Sequence, residues 1–485
     1  MKKIPAFIST IVTVMLISGT LYAQNQNDAL RYSLINYGGS ARFLGLSGAY
    51  GAVGADFTSL SQNPAGLGLY RKSEFAITPM LSSNNTTTEF LRESNEDSRT
   101  TMYLGNVGYV YSQNMNGRAG ALVQLNFGFG INMLNSFSNR MVITGFNNYN
   151  SLMTSYVNEV NTSGEPLSNW DNYGAGLAYD VDLIFWDSIS PTNQRWAADM
   201  ENGGVYQTKT VETYGSSNET VLSAAANISN KFFLGVTFAF PYIRYHEDSR
   251  LTENDQKSLN SYFDSFDRYE YVDTRGAGFN FKAGFIFMPV DFIRIGGSIH
   301  TPTNYYNMSD NYGASMNSYF DNGNHLSKTP ANGYFDYELK TPLRATGSLA
   351  FIIGKYGLIS ADYEYIDYSE AKLGSHDYSF SSENNSIRSD FKTANNFRIG
   401  AEVKAGIAAF RGGYSFYGTP YVGSDSEGDR NGYSFGVGIR DKGYFVDFSY
   451  NHMKSNAYYY MYGEAPESYN TIKTNAYSLT LGFRF

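Results

Sequence analysis

The 485-residue chain contains no cysteine, which excludes disulfide bonds, thiolate metal ligands and cysteine nucleophiles. Proline (12 residues), histidine (five) and tryptophan (three) are also scarce. A positive excess is missing as well, because 36 lysines and arginines against 45 acidic residues give a net charge of −9, which argues against nucleic-acid binding. Tyrosine (42), phenylalanine (34) and glycine (48) are abundant, and this composition favours strands and tight turns over helices.

Long hydrophobic runs are confined to the N-terminus. Two lysines precede an apolar stretch over residues 4–17, and Ala23 follows it. This pattern is typical of a secretory signal peptide cleaved after Ala23, although Leu21 stands where a small residue is usual. The stretch is short for the alternative, a single membrane anchor. We therefore predict that residues 1–23 are a signal peptide and that the remainder is exported.

Two motifs that carry common enzyme chemistry are absent. The sequence contains no H-E-x-x-H zinc motif and no phosphate-binding P-loop. The five histidines show no ligand-like spacing; they are His246, His300, His325, His376 and His452. We predict no catalytic residue, no metal site and no cofactor, and so a protein that is not an enzyme.

From residue 73 onward, apolar and polar residues alternate with a period of two. In the segment 279–287 the phenylalanines share one face, whereas Asn280, Lys282 and Gly284 share the other. The segments FRIGAEVKA and YFVDFSYN repeat the pattern. Because successive side chains of a strand point to opposite faces, each segment predicts a strand with one apolar and one polar face.

About fourteen such segments can be counted between residues 73 and 485. A soluble β-sandwich would show the same alternation, but many segments reach the roughly nine to eleven residues that a tilted membrane strand needs. Aromatic residues cluster at segment ends, and short turns alternate with long polar loops, as in outer-membrane barrels. We predict an all-β fold: a closed antiparallel transmembrane β-barrel in the cell outer membrane, surrounded by outer-membrane lipid, with its short turns in the periplasm.

The last segment, YSLTLGFRF, places five apolar residues on one face and ends in Phe485. It resembles the C-terminal signature of bacterial outer-membrane proteins, which implies that the barrel-assembly machinery recognises Phe485. An ordinary last strand is the alternative.

The loop at 136–207 is much longer than the others. Apolar residues recur there three and four apart, which predicts a partly helical structure on the extracellular side. Long structured loops are usually functional lids or binding elements. A cap that only protects the barrel mouth fits equally well.

The segment 24–72 does not alternate. Its glycines permit close packing, Asp56 is placed to cap a short helical turn, and Asn63 followed by Pro64 would end that turn. About 49 residues cannot build a stable core alone. We predict that this segment folds inside the barrel as a hatch, or plug.

The run GLSGAYGAVGADFTSLSQNPAGLGLY within that segment resembles the N-terminal hatch of the FadL/TodX family of outer-membrane hydrophobic-compound transporters. Residues 48–52 match its GA-aromatic-x-A stretch. A lone NPAG would indicate only a turn, but its combination with about fourteen strands and a terminal phenylalanine makes the resemblance specific. The hatch motif consists of Asp56, Asn63, Pro64, Ala65 and Gly66.

The resemblance implies passive uptake of a hydrophobic small molecule, with long-chain fatty acids as the default class. The ligand would be captured in the barrel and released sideways through a kink in the third strand. Gly128 and Gly130 are candidates for that kink, because glycine inside a strand often marks a bulge. Alternatively, these glycines only make room for the hatch. The sequence does not single out ligand-binding residues.

Two other functions remain open. Barrels of this family also serve as protein-interaction subunits, as in the PorV-type component of the type IX secretion system, and the loops would then bind protein partners in the outer membrane. Haem capture is a third function that some relatives carry. The scattered histidines give it little support.

Overall fold

The computed structural model describes residues 25–188, 194–424 and 426–485, without the side chains of residues 116–119, and it consists mainly of strands. The signal peptide predicted for residues 1–23 lies outside the described residues, as does the first residue of the predicted hatch. Among the described helices, none is long and apolar enough to cross a membrane.

Fourteen strands, labelled here β1 to β14 in chain order, form the wall of a barrel. Two of them continue past an interruption: β7 into Asn304–Phe320, and β8 backwards into Gly333–Lys340. The strands are β1 Glu74–Phe90, β2 Glu93–Ala119, β3 Leu122–Ser136, β4 Val205–Ile228, β5 Phe232–Asn254, β6 Phe263–Val290, β7 Ile293–His300, β8 Arg344–Ile353, β9 Gly357–Asp367, β10 Thr393–Ala405, β11 Ala408–Tyr417, β12 Arg430–Arg440, β13 Tyr444–Tyr459 and β14 Ser468–Arg484.

The first strand closes the barrel. Glu74 of β1 lies opposite Val110 of β2 and opposite Arg484 of β14, both in antiparallel pairing. Antiparallel neighbours can close a ring without an exposed edge only when the strand number is even. The predicted fold class and strand number are therefore confirmed.

Several strands are longer than the sequence pattern predicts. The alternation ends near residue 82, but β1 continues to Phe90, with Thr86 still paired to Asp97 of β2. The added segment is rich in threonine and asparagine and has no apolar face. Such segments extend the wall beyond the part that contacts lipid, where no apolar face is needed.

The two faces of the wall are the reverse of those of a soluble protein. Outward positions expose large apolar side chains, among them Phe129, Phe238 and Phe435. Inward positions of the same strands bury charged side chains such as Asp362 and Asp447. An apolar exterior around a polar interior is the arrangement of a membrane barrel.

The barrel has two different ends. At one, called the turn end, neighbouring strands are joined by short turns such as 229–231 and 441–443. At the other, called the loop end, longer connections carry the remaining elements. These are the strands Asn139–Asn147, Phe185–Asp187, Arg195–Ala197, His325–Lys328 and Lys372–Gly374, the α-helices Leu152–Ser163, Ala175–Asp180 and Ser381–Asp390, and the 3-10 helices Leu167–Asn169 and Tyr368–Glu370.

The N-terminal segment lies inside the barrel. It comprises the helices α1 Gln26–Ser33, α2 Ala41–Leu44 and α3 Ser59–Gln62 and the 3-10 helix Pro64–Leu69. Asn25 caps α1 and accepts a hydrogen bond from the Asn27 amide (2.8 Å). Nearly every residue from 40 to 70 is buried against inward-facing wall side chains. The chain therefore runs down the lumen from the loop end to the turn end before it enters β1.

Candidate functional site

The NPAG turn is fixed by the side chain of Asn63. Its Oδ1 accepts from the Ala65 amide (3.1 Å), while its Nδ2 donates to the carbonyls of Gly51 (2.6 Å) and of Phe285 in the wall strand β6 (3.1 Å). An amide is needed because only this group offers an acceptor and two donors together. Asn63 thus joins its own turn, an earlier part of the N-terminal segment and the wall.

The other motif residues allow close chain approach. Pro64 occupies the first turn of its 3-10 helix, where a missing N–H costs nothing. A Cβ on Gly66 would come within 2.6 Å of the Ser59 Oγ, and a Cβ on Gly235 of β5 would lie 2.3 Å from the Pro64 carbonyl carbon. Ala65 is fully buried. The motif therefore fits against a wall position that has no side chain.

Asp56 organises the turn before the motif. Its carboxylate accepts from the Thr58 amide (3.0 Å) and from the Ser40 hydroxyl (2.6 Å). The first bond lies in the turn before α3, whose N-cap residue is Thr58 and not Asp56. The second ties the turn back to the start of α2.

Buried wall charges hold residues 40–70, which we call the locked hatch. Asp362 of β9 accepts from the amides of Tyr50 (2.9 Å) and Gly51 (3.1 Å). Arg42 of the locked hatch pairs with Glu402 of β10 (3.0 Å). Charged groups in a dry interior are stable only when they are paired and hydrogen-bonded, so each of these contacts resists displacement of the locked hatch.

The charge pairs continue along the wall. Arg411 donates to both Glu402 (2.7 Å) and Asp447 (2.7 Å), and all three side chains are buried. Lys282 pairs with Glu219 (2.7 Å) and donates to the Ser61 carbonyl of the locked hatch (3.2 Å). The inner wall is therefore a continuous support for this segment.

The predicted kink glycines lie in an unbroken part of the wall. Gly128 is opposite Val110 and Gly130 is opposite Gly108 in the β2–β3 pairing. A Cβ on Gly128 would lie 2.4 Å from the Leu60 side chain, and one on Gly130 would lie 2.5 Å from that of Phe57. Both glycines make room for the locked hatch. Their part in a lateral exit stays a prediction.

A discontinuity in the wall lies further toward the loop end. The β2–β3 ladder runs from the turn end up to Asn106 opposite Asn132, and the β1–β2 register shifts at the same level. Beyond it, the carbonyls of Met133 and Leu134 accept from the amides of Gly38 (3.0 Å) and Asn36 (2.8 Å). Residues 36–39, which we call the seam segment, thus occupy the place of a wall strand. We call this part of the wall the lateral seam.

Above the lateral seam, side chains replace the backbone ladder. Asn95 of β2 donates to Thr144 (2.7 Å), and Asp97 pairs with Arg140 (3.2 Å), both partners belonging to the strand Asn139–Asn147. These side-chain contacts connect β2 to the strand Asn139–Asn147 in place of a backbone ladder.

A cavity of about 100 Å³ adjoins the seam segment on the inside. Arg398 also reaches it, but its guanidinium is held by Glu364 (3.4 Å) and Asp362 (3.9 Å). The alternation of apolar and polar residues in the sequence can place the wall residues of this cavity on the inner face of the barrel. It cannot show that they lie next to one another. The apolar and aromatic residues that line the cavity are Tyr37, Phe43, Leu44, Met80, Tyr103, Met133, Tyr417, Tyr433, Met453 and Ala476, and polar residues such as Asn84, Asn451 and His452 complete the lining.

The loop 136–207 folds over the loop end of the barrel as a structured cap. Its helix Leu152–Ser163 packs into an apolar cluster with wall residues such as Phe266 and Met316. All three tryptophans of the chain meet here: Trp196 lies 4.6 Å from Trp170 and 5.2 Å from Trp186, between ring centroids.

One buried carboxylate anchors the cap to the wall. Glu253, beyond the membrane-spanning part of β5, accepts from the Leu152 amide (3.0 Å), the Gln207 amide group (2.7 Å) and the Ser151 hydroxyl. Burial raises the pKa of Glu253 to about 7, and the three hydrogen bonds only partly offset this increase.

One sequence motif that is typical of hydrolases lies within a strand of the wall. Gly432–Gly436 reads G-x-S-x-G, the pattern of a hydrolase nucleophile elbow, which requires a strand-to-helix turn. Here it lies within β12, and the buried Ser434 hydroxyl hydrogen-bonds the Ser47 hydroxyl (2.8 Å). This serine therefore anchors the locked hatch.

Comparison with solved structures finds the same architecture in bacterial transporters. A Pseudomonas aeruginosa FadL homologue aligns with a TM-score of 0.56 at 12% identity, covering 93% of this chain and 100% of that one. The Pseudomonas putida toluene transporter TodX gives 0.55 at 11% identity, with 93% and 100% covered. The Ralstonia pickettii toluene transporter TbuX gives 0.51 at 14%, with 93% and 99% covered.

No family model matches the sequence, and no curated protein does. At these identities the structural likeness shows the fold. The fold is that of the FadL/TodX-type barrels, as the hatch motif predicts.

Proposed function

We propose that this chain is a passive outer-membrane protein for the uptake of hydrophobic small molecules, with long-chain fatty acids as the class that the FadL/TodX resemblance implies. The observation that carries the proposal is the lateral seam, where residues of the N-terminal segment complete the wall beside a cavity lined by both apolar and polar side chains. The seam segment contributes Asn36 and Tyr37 to the lining of this cavity, so its displacement would open the cavity toward the lateral seam. The structural neighbours of this chain include two toluene transporters, which supports a role without catalysis.

The cavity fits the apolar part of such a ligand. Aromatic rings and the thioethers of Met80, Met133 and Met453 line it, and methionine adapts to ligands of different shape. An apolar cavity of roughly 150 Å³ is enough to bind benzene. The present cavity, at about 100 Å³, is smaller than that. Binding of a longer acyl chain would therefore require the seam segment to move. A fatty-acid carboxylate would compete with Glu364 and Asp362 for Arg398.

The proposed route has three steps. The ligand enters past the cap at the loop end, occupies the cavity, and leaves sideways when the seam segment releases Met133 and Leu134. The locked hatch stays in place throughout, so no open channel forms. Outer-membrane barrels have their loop end outside the cell, and uptake is then directed into the membrane.

An engineered disulfide tests the moving part directly, because the chain has no other cysteine. A Cβ on Gly38 would lie 3.4 Å from the Gly105 Cα across the lateral seam, within the reach of a disulfide. The Met133 and Met80 side chains, 2.6 Å and 2.4 Å from the two new Cβ positions, must turn aside in G38C/G105C. We expect the oxidised variant to lose uptake of radiolabelled oleate and of toluene in cells, and reduction to restore it.

The matched control is S47C/S434C, in which the native hydroxyls lie 2.8 Å apart and connect the locked hatch to the wall. We expect its oxidation to leave uptake unchanged. Uptake by oxidised G38C/G105C at the level of its reduced form would refute release through the lateral seam. Loss of uptake in both oxidised variants would instead show that the locked hatch must move.

A protein-interaction role is the second candidate, and an exposed apolar surface on the cap favours it. Tyr149 and Leu259 are 74% and 58% exposed and flank Gly203 and Gly204 at the loop end. Exposed apolar patches mark interaction sites. A stoichiometric protein that co-purifies from native membranes and is lost in Y149S/L259S would support this role. A partner retained by that variant would contradict it.

A further inference from the structure

Two lysines face each other on the outer surface of the barrel wall. Lys454 of β13 lies directly opposite Lys473 of β14, and both side chains are exposed. Directly opposed residues on one face have Cβ atoms about 5 Å apart, and like charges in such a pair repel. Among the described residues, neither ammonium group forms an ion pair. The pair therefore has an unsatisfied preference for an anion.

Two of the neighbouring outward positions carry amide side chains. Asn85 of β1 lies opposite Lys473, and Asn431 of β12 lies opposite Lys454. Asp429, at the start of this region, interacts electrostatically with Lys454 without forming an ion pair with it. The four strands together present two ammonium groups and two amides on one surface, which we call the lysine patch.

The lysine patch lies at the loop-end border of the apolar belt. The outward row of β14 reads Phe483, Leu481, Leu479 and Tyr477, and Lys473 follows two outward positions after Tyr477. A tilted strand crosses the bilayer in about nine to eleven residues, so Lys473 is at headgroup level. Tyr450 and Tyr477, with ring centroids 5.2 Å apart, form the aromatic rim just below.

A second like-charged pair shows what this patch lacks. Arg244 and Arg275 are also directly opposed on the outer wall. There, however, Arg275 holds the Asp273 carboxylate (3.0 Å), so an internal anion lies beside the pair. At the lysine patch, the Asp429 carboxylate interacts with Lys454 but forms no ion pair with it, so the space between the two lysines is open to an anion from outside the protein.

We propose that the lysine patch binds a phosphate group of a phosphorylated glycolipid of the outer leaflet, of the lipid A class, whose acyl chains lie along Leu479 and Tyr477. A phosphate carries enough negative charge to neutralise both lysines and accepts charge-assisted hydrogen bonds from each. The amides of Asn85 and Asn431 are placed to bind the sugar and phosphate oxygens. The site is continuous with the lipid-facing belt, so one molecule can use both surfaces.

The test uses the purified full-length barrel with K454Q/K473Q and the matched control K355Q/K442Q, which removes two exposed lysines at the turn end. Binding of diphosphoryl lipid A in detergent would be measured by titration, with dephosphorylated lipid A and phosphatidylglycerol as comparison ligands. We expect K454Q/K473Q to bind diphosphoryl lipid A at least roughly tenfold more weakly than wild type, because two charge-assisted contacts are lost. The control should bind as wild type does.

Folding of both variants would be checked by heat-modifiable gel mobility. Removing the like-charged lysine pair should not lower the stability of the barrel. Equal binding of diphosphoryl lipid A by K454Q/K473Q and wild type would overturn the proposal. So would equal wild-type affinity for dephosphorylated lipid A. Lysine-dependent binding of phosphatidylglycerol with the same affinity would overturn the assignment to a glycolipid.

Discussion

The two ends of the barrel lumen are closed in different ways. At the turn end, the locked hatch is held by buried charges and amides of the wall, such as Asp362 and Glu402. At the loop end, the cap is held by an apolar cluster and by dispersed polar contacts, such as those of Glu253 with Leu152 and of Lys328 with Asp180. Polar bonds are directional and resist small displacements, whereas an apolar contact can slide or separate as a unit. Displacing the locked hatch therefore requires many directional bonds to break together, and we propose the seam segment, which has two backbone hydrogen bonds to the wall strand β3, as the part that moves.

The largest effect is expected from breaking the buried charge pairs that hold the locked hatch. Arg411→Met removes the cation that Glu402 and Asp447 share, so that Glu402 keeps Arg42 and Asp447 keeps Arg440 as a partner. The loss should cost about 3 kcal/mol, the lower end of the range for breaking a buried ion pair. We expect a lower unfolding temperature in detergent, measured by heat-modifiable gel mobility and circular dichroism.

The control for this change is Lys355→Met, at an exposed position in a turn. It should leave the unfolding temperature unchanged. If Arg411→Met were as stable as wild type, the charge pairs would not be what holds the locked hatch.

The cap should respond to pH through Glu253. Its pKa rises from 4.5 to about 7 in the closed cap, so the closed state binds the proton more tightly. Closure is therefore most stable below about pH 4.5 and is weakened as the pH rises to about 7, by about 3 kcal/mol in total.

Tryptophan fluorescence can follow this change, because all three tryptophans lie in the cap. We expect denaturant to open the cap of the wild type more readily at pH 8 than at pH 5. Glu253→Gln should remove the difference. A wild type with equal cap stability at both pH values would contradict the role of Glu253.

A smaller effect is expected at the hatch motif. Asn63→Ala removes the donors to Gly51 and Phe285 and the acceptor for Ala65, which should cost about 1–3 kcal/mol. Hydrogen exchange of the amides in residues 50–66 should accelerate in the variant.

Asn85→Ala, at an exposed outward position, serves as the control and should leave that exchange unchanged. Protection of residues 50–66 at the wild-type level in Asn63→Ala would show that the wall alone holds the motif.

The smallest difference needs no mutation. The Asn36 and Gly38 amides bond only to the strand edge at Met133 and Leu134, whereas those of Tyr50 and Gly51 bond to a buried carboxylate. Local opening is easiest where few buried contacts must break. We expect faster hydrogen exchange at Asn36 and Gly38 than at Tyr50 and Gly51, and slower or equal exchange would reverse the assignment of the mobile part.

Much of the fold could be predicted because it depends on residues close together in the sequence. A period of two places Phe279 outward and Lys282 inward whatever strand lies beside them. The strand ends were predicted less well, since β1 continues to Phe90 through a polar segment without alternation. In the candidate site, Asp56 lies beside a turn and bonds to Thr58, whereas an exit at Gly128 and Gly130 stays a prediction, and both glycines lie where the wall is continuous.

The strand number, the inward and outward faces and the unusual composition of the NPAG segment follow from the sequence, because each depends on residues close together in the chain. Only the tertiary structure decided that residues 36–39 complete the wall, that Met80 and Met453 meet at one cavity, and that Lys454 faces Lys473. These contacts join residues distant in sequence, and their register is set by how the whole barrel closes. Local periodicity cannot encode that register.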